Sequence, residues 1–151
     1  MGGEATYAHE LRIGDSYEPL EFTISNDVNH QFLYAIAEFD PVYVGAAGKP
    51  GQLHPMILLH MSARTRSRSF RLAPNMGSVY AREKVRFLRP AHVDEPLTAT
   101  WTIRDVYEKK GRLYQAMQIA VVARGGPVID REMHSVFFTL DRSGSGQGRA
   151  A

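Results

Sequence analysis

The chain has 151 residues, which suits one domain with a single hydrophobic core and leaves no room for two domains of ordinary size. Its apolar fraction of 44% and charged fraction of 23% are ordinary for a globular protein and exclude a disordered or fibrous chain. The chain contains no cysteine, so the sequence excludes disulfides, thiolate nucleophiles and zinc sites with cysteine ligands.

The charge and the hydropathy exclude two further classes of protein. A formal net charge of +2 is too small to indicate nucleic acid binding, although it would not repel the phosphate of a ligand. No stretch approaches the ~20 apolar residues of a membrane-spanning helix, and residues 1–10 lack the apolar segment of a signal peptide. We therefore expect a cytoplasmic protein with neither nucleic acid nor membrane as a partner.

The first half of the chain predicts one strand and two helices. Residues 17–24 alternate loosely and indicate an edge strand, because Pro19 lies near its start. Ser25 and its neighbours offer capping oxygens to an amphipathic helix over 28–39, which Pro41 stops. A loop over 41–53 contains several glycines, and Pro55 then begins a longer helix that extends to about residue 72.

The second half predicts four long strands, over 78–88, 97–106, 112–123 and 128–140, because apolar and polar residues alternate between turn residues. We expect a four-stranded antiparallel meander. Its apolar face needs a cover, and the helix from Pro55 is the only predicted element long enough. The apolar positions in three of these strands are Val79, Ala81, Val85 and Phe87; Leu97, Ala99, Trp101 and Ile103; and Met117, Ile119 and Val121.

This order of elements is that of the hotdog fold, an α+β architecture in which an antiparallel sheet wraps around a long central helix. We expect one hotdog domain over residues 1–142 and a flexible tail over 143–151, whose composition offers little to bury. Such a sheet has exposed edges, so we also expect at least a dimer.

Two stretches resemble the MaoC-like hydratase and dehydratase family. Residues 27–62, DVNHQFLYAIAEFDPVYVGAAGKPGQLHPMILLHMS, are similar to its helix, GDxNPxH motif, glycine-rich loop and AHG helix start. Residues 82–112, REKVRFLRPAHVDEPLTATWTIRDVYEKKGR, are similar to the family's sheet. The resemblance implies an acyl-thioester substrate carried on coenzyme A or on the phosphopantetheine of a carrier protein, with no cofactor and no metal.

In that family an Asp and a His perform the acid–base chemistry, and the resemblance places them on altered positions here. The family's Asp falls on Glu38, its Asn on Asp40 and its His on Tyr43, so only Pro41 of the motif is kept. Glu38 and Asp40 are candidate bases, with Tyr43 or His54 as proton partner. The alternative is that both carboxylates are solvated and that Tyr43 is a packed aromatic residue. A phenol that titrates near ~10 is a poor substitute for an imidazole that titrates near ~6.5.

The AHG segment is altered too, since it reads Leu53-His54-Pro55 here. The family uses a backbone N–H at this helix start to polarise the thioester carbonyl, and proline has no N–H. The resemblance therefore leaves the amides of Met56 and Ile57 as candidate carbonyl donors.

Basic side chains form two predicted rows, one on the long helix and one on the first long strand. From these rows Arg64, Arg68 and Arg86 are candidate ligands for the phosphates of the carrier, against the alternative of a solvated basic surface. Glu83 interrupts the apolar face of its strand and needs a partner, which a subunit interface or a site lining would supply.

The resemblance leaves two functions open. One is a hydratase or dehydratase of 2-enoyl and 3-hydroxyacyl thioesters. The other is a non-catalytic, acyl-chain-binding subunit that works as a homodimer or as a hetero-oligomer with another hotdog subunit. A hotdog thioesterase is a distant third, because many of those enzymes carry an acidic residue on the central helix and residues 56–71 contain none.

Overall fold

The computed structural model describes residues 6–140. The predicted tail over 143–151 and both ends of the predicted domain lie outside these residues. A single five-stranded antiparallel sheet and three α-helices make up the described chain, together with two short 3₁₀ helices at Ala8–Glu10 and Arg64–Arg66. In chain order the other elements are β1 (Leu20–Phe22), α1 (Asn26–Ala35), α2 (Pro41–Val44), α3 (Pro55–Met61), β2 (Met76–Phe87), β3 (Leu97–Lys109), β4 (Arg112–Ala123) and β5 (Gly126–Thr139).

The strand order across the sheet is β1-β3-β4-β5-β2, so the predicted four-stranded meander is wrong in one respect. β3, β4 and β5 follow one another as hairpins, but β2 pairs with β5 rather than with β3. The β3–β4 turn has Lys110 and Gly111 at positive φ, as a tight hairpin requires. The β2–β3 connection instead contains Pro90 and Pro96, which do not suit such a turn.

The inward faces of β3 and β4 are as predicted. All seven predicted positions of these two strands are buried, and Trp101 is fully enclosed. β2 differs, because a bulge between Tyr80 and Arg82 shifts its register against β5. Val79 therefore lies opposite Val136 while Val85 lies opposite Arg131 on the other face, so the predicted single apolar face of β2 is wrong.

The central helix α3 packs on the concave side of the sheet, where Ile57 and Leu58 join the core around Trp101. This enclosure confirms the predicted α+β hotdog architecture. The predicted extension of the helix to residue 72 is wrong, because α3 ends at Met61. The indole of Trp101 donates to the Ser62 carbonyl at 2.8 Å, and Ala63 then turns to an extended conformation.

Arg131 of β5 fixes the same end of α3 to the sheet. Its guanidinium donates to the Leu59 carbonyl at 3.0 Å and to the Ser62 hydroxyl at 2.8 Å, and it also forms an ion pair with Glu83. Glu83 is thus paired within its own chain, so the expectation of a partner from a subunit interface or a site lining is wrong. These hydrogen bonds and the ion pair offset the cost of burying the Arg131 guanidinium.

α1 and β1 occupy the positions that the sequence predicts, with shorter bounds. The Ser25 hydroxyl accepts the Val28 amide as the helix cap, and α1 ends at Ala35 because Ala37 adopts positive φ. β1 pairs only with β3, which makes it an edge strand. Within residues 6–140 no helix is both long and apolar enough to cross a membrane.

Candidate functional site

The start of α3 brings together the two aromatic residues that the resemblance singled out. The rings of Tyr43 and His54 lie 5.0 Å apart between centroids, and Phe32 of α1 lies 5.8 Å from His54 on another side. His54 is the N-cap of α3, and its Nδ1 accepts the Met56 amide at 3.2 Å. A neutral His54 therefore carries its proton on Nε2, the nitrogen that is not engaged by the helix.

A cleft of about 330 Å³ opens beside the Tyr43 ring, and His54 and Phe32 are not among its lining residues. It lies between the start of α3 and the end of β2. Most of its wall is apolar, and the lining residues are Tyr43, Gln52, Leu53, Pro55, Leu58, Phe87, Leu88, Arg89 and Pro90. An apolar cleft with a few polar groups at its rim is the usual form of a small-ligand site.

Tyr43 is held by its backbone. The buried Asn29 of α1 donates its amide to the Tyr43 carbonyl at 3.0 Å. Gly51 passes so close to the same carbonyl that an added Cβ would lie 2.0 Å from its oxygen. Glycine is therefore required at this position, and the loop after α2 folds back tightly against Tyr43.

The two candidate carboxylates, Glu38 and Asp40, accept hydrogen bonds from backbone amides of the turn in which they lie. A Glu38 oxygen accepts the Asp40 amide at 2.9 Å, and an Asp40 oxygen accepts the Val42 amide at 2.9 Å as the N-cap of α2. In the part of the chain that the structure describes, neither carboxylate hydrogen-bonds to Tyr43 or His54. A base role for either carboxylate stays a prediction.

The two candidate carbonyl donors are also engaged. The Met56 amide donates to Nδ1 of His54, and the Ile57 amide donates to the His54 carbonyl at 3.0 Å. Pro55 has no amide hydrogen. A thioester carbonyl would have to displace a hydrogen bond made by His54 before it could use the start of α3.

The three candidate phosphate ligands lie in different surroundings and do not form one cluster. Arg64 is 2% exposed, and its guanidinium lies between the rings of Phe70, Tyr80 and Phe137 at 5.2–5.4 Å. Arg86 forms an ion pair with Asp130. Arg68 is exposed on the segment after the second 3₁₀ helix.

A further wall of the cleft depends on a turn that the sequence did not single out. Arg89 lies in that wall and donates to Glu95 at 2.7 Å, and Glu95 also accepts the His92 amide. Burial alone would raise the pKa of the Glu95 carboxyl, but these hydrogen bonds and the Arg89 charge outweigh it and hold the pKa below its ordinary value. Arg89 and Glu95 lie in the proline-containing stretch between β2 and β3, and such a stretch is hard to place from a sequence.

No cluster of three or more His, Asp or Glu side chains suited to hold a metal ion occurs among residues 6–140. His30 and His92, which lie near the glycine-rich loop, are separately engaged. His30 bonds through Nε2 to the Val44 carbonyl at 3.0 Å, and His92 lies 3.8 Å from Glu95.

Comparison with solved structures identifies the fold. An (R)-hydratase from A. caviae involved in PHA biosynthesis has a TM-score of 0.66 at 16% identity, over 89% of this chain and 100% of its own. A MaoC-like dehydratase from Rhodospirillum rubrum has a TM-score of 0.65 at 15% identity, over 90% and 98%. A chain of the ChsH1-ChsH2 complex from Mycobacterium tuberculosis has a TM-score of 0.65 at 17% identity, over 85% and 87%.

These similarities show a shared hotdog fold. They show no activity, because the identities are too low. No family model matches the chain, and no curated protein matches it either.

Proposed function

We propose that this chain binds an acyl thioester in the cleft at the start of α3, as the acyl-binding subunit of a hotdog hydratase or dehydratase. A second hotdog subunit with an intact Asp and His pair supplies the acid–base chemistry. The observation that carries this proposal is the state of the polar groups beside the cleft: each predicted catalytic group except Tyr43 already holds a local hydrogen bond.

The local hydrogen bonds argue against a self-sufficient hydratase. Such an enzyme needs a base within reach of the substrate and a free donor for the thioester carbonyl. The Glu38 and Asp40 carboxylates cap their own turn, and both amides at the start of α3 donate to His54. Breaking any of these bonds would cost about 1 kcal/mol before catalysis gained anything.

The cleft itself supports binding. Leu53 and Leu58 are buried at its base, and Phe87 and Leu88 are about half exposed at its mouth. Covering them with an acyl chain would contribute about 0.8 kcal/mol for each methylene buried.

A partner subunit is supported by the edge of the sheet and by one of the similar structures. Among residues 6–140, no strand pairs with the outer edge of β2 (Met76–Phe87), and Phe87 of β2 also forms part of the cleft wall. A second subunit on this edge would therefore lie close to the bound thioester. The Mycobacterium tuberculosis structure is, by its description, a complex of two proteins.

A hydratase that acts alone is the second candidate, and the Tyr43 and His54 pair favours it. Their rings are in contact, Tyr43 lines the cleft, and Nε2 of His54 makes no hydrogen bond within residues 6–140. In this mechanism His54 would transfer the proton and Tyr43 would orient the His54 imidazole, with no cofactor and no metal. A thioesterase gains no support, because α3 carries no acidic residue.

A hydration assay separates the two candidates. We expect the purified chain to leave crotonyl-CoA and longer 2-enoyl-CoA substrates unchanged, and to extend the chain-length range of an intact hotdog hydratase when the two are co-expressed. Turnover by the chain alone that is lost in His54→Asn or Tyr43→Phe would overturn the subunit proposal. Asparagine keeps a side-chain acceptor for the Met56 amide, so His54→Asn removes the imidazole and retains the cap. Glu38→Ala and Asp40→Ala test the carboxylates in the same assay.

Calorimetric titration with butyryl-CoA and octanoyl-CoA tests the cleft directly, because neither saturated thioester can be hydrated. We expect Phe87→Ala to weaken octanoyl-CoA binding roughly tenfold, from the apolar area lost at the mouth. Val122→Ala is the matched control, since Val122 is similarly exposed but lies outside this cleft. Equal affinity of the two variants would place the acyl chain elsewhere.

A further inference from the structure

Three clefts adjoin one another around the glycine-rich loop, and we call the three together the track. The cleft at α3 shares Gln52 with a second cleft of about 350 Å³. That second cleft shares Gly45, Ala46, Lys49 and Pro50 with a third one of about 610 Å³. The track therefore leads from the apolar slot, past Gln52, to the glycine-rich loop after α2.

The glycine-rich loop holds Lys49 in a fixed place on this track. Ala46 and Lys49 exchange two backbone hydrogen bonds, of 3.0 and 2.9 Å, that close a tight turn. Gly45 has positive φ, and an added Cβ there would lie 2.7 Å from the Gly51 nitrogen. A loop closed this tightly loses little further entropy when a ligand binds.

Lys49 is also the available cation on the track. It forms no ion pair within the part of the chain that the structure describes, and it lines both outer clefts. Arg89 lines the inner cleft but is paired with Glu95. Arg64 is buried among three aromatic rings, and Arg86 is paired with Asp130.

We propose that Lys49 binds the phosphate of a phosphopantetheine arm whose acyl end occupies the cleft at α3. This inference rests on the proposed function, because it requires a thioester in that cleft. Phosphopantetheine is a long, narrow, mostly uncharged arm with a single anionic end. On the track, Lys49 lies where the two outer clefts meet, away from the apolar slot, and it has no ion-pair partner among residues 6–140. Coenzyme A and an acyl carrier protein present the same phosphate, so the site accepts the chemistry that they share.

Asp94 provides an internal check, since its carboxylate lines the outermost cleft and opposes an anion there. Asp94 has positive φ, which asparagine tolerates nearly as well as aspartate. Replacing Asp94 by asparagine should thus strengthen phosphate binding and leave the backbone unchanged.

The test compares three forms of one acyl group by calorimetric titration of the full chain: the acyl-CoA, the acyl-phosphopantetheine and the acyl-pantetheine, which lacks the phosphate. We expect the two phosphorylated forms to bind the wild type about three- to tenfold more tightly than acyl-pantetheine, as one exposed charge contact contributes. Lys49→Ala should abolish this difference, and Asp94→Asn should widen it about twofold. Lys109→Ala is the control, since Lys109 lies at the opposite end of β3 from the track.

Each other result counts against the inference. If acyl-pantetheine binds the wild type as tightly as the phosphorylated forms, or if Lys49→Ala leaves the difference intact, Lys49 is not the phosphate ligand and the proposed function stands. If only acyl-CoA gains affinity, the contact involves the nucleotide and the inference is wrong. If none of the three binds, the proposed function fails and this inference fails with it.

Discussion

Tyr17 and Arg64 are both buried, and both lie against the ring of Phe70. Tyr17 is 4% exposed, and its hydroxyl has no hydrogen-bond partner within the described residues. Burial raises the pKa of Tyr17 to about 12, although the nearby Arg64 charge acts in the opposite direction. Burial likewise lowers the pKa of the Arg64 guanidinium below its ordinary value, against the influence of Tyr17 and Tyr80. The three aromatic rings around Arg64 offset part of this cost through cation–π contacts.

Because of this environment, we expect Tyr17 to make the protein less stable at alkaline pH. The native state keeps the Tyr17 proton up to about pH 12, whereas the unfolded chain releases it near ~10, so the free energy of unfolding falls as pH rises between these values. A shift of this size corresponds to about 2–3 kcal/mol at pH 12. In urea unfolding, the free energy of unfolding of Tyr17→Phe should fall by that amount less than that of the wild type between pH 9 and 12.

Tyr34→Phe is the control for this measurement, because Tyr34 is 79% exposed. Its unfolding should follow the wild type at every pH. An alkaline loss that Tyr17→Phe leaves unchanged would show that the phenol of Tyr17 has access to water in the native state.

At the scale of elements, the sequence predicts those features of a helix or strand that depend on its own residues, and it fails where a distant residue determines the feature. The inward positions from Leu97 to Ile103 in β3 and from Met117 to Val121 in β4 are buried, so strict alternation places Trp101 and Met117 correctly. The end of α3 is decided from outside, because Trp101 and Arg131 bind the Ser62 carbonyl and hydroxyl while the apolar spacing continues to Phe70. The bulge in β2 likewise leaves no trace in the alternation of its residues.

The candidate site divides in the same way. The family resemblance predicts that Tyr43 and His54 meet, and the structure places their rings in contact. It does not predict that Glu38 and Asp40 cap their own turn, because capping depends on the local backbone conformation rather than on residue type alone. The sequence did not single out Lys49, because a single lysine between Gly48 and Pro50 has no motif around it.

α3 is short, and its start depends on His54 as the capping residue. Because the imidazole accepts the Met56 amide, we expect His54→Ala to lower the free energy of unfolding by about 1 kcal/mol. His54→Asn should retain most of that stability, since an asparagine oxygen is a good cap. Chemical unfolding of the two variants at pH 7 measures the difference. Equal losses in both would mean that packing against Phe32 and Tyr43 matters more than the cap.

At the scale of the whole molecule, β2 is the long exposed edge of the sheet. Val79, Tyr80 and Phe87 along it are each about half exposed, whereas the other edge strand, β1, has only three residues. A long apolar edge of this kind invites pairing with another strand.

We expect the purified chain to sediment as a dimer through β2, and Val79→Asp to shift it towards a monomer that remains folded. In a pair of β2 edges Val79 would lie beside a side chain of the second strand on the same face of the sheet, and replacing an apolar cross-strand contact by a charge weakens the pairing. Val122→Asp, on the inner strand β4, should leave the mass unchanged. Sedimentation velocity with circular dichroism reads out both variants. A monomeric wild type, or a dimer that tolerates Val79→Asp, would exclude this edge as the homodimer contact.

The position of β5 between β4 and β2 also has a consequence for synthesis on the ribosome. β2 is translated before β3 and β4, yet the strand it pairs with in the described sheet is β5, which pairs Met76 with Thr139. Until that later strand emerges, the nascent chain carries Val79, Tyr80 and Phe87 on a segment with nothing to pair with, and Arg131 is not yet present to secure α3. Such long sequence separation slows folding and exposes apolar surface, so this protein should depend on chaperones more during translation than after release.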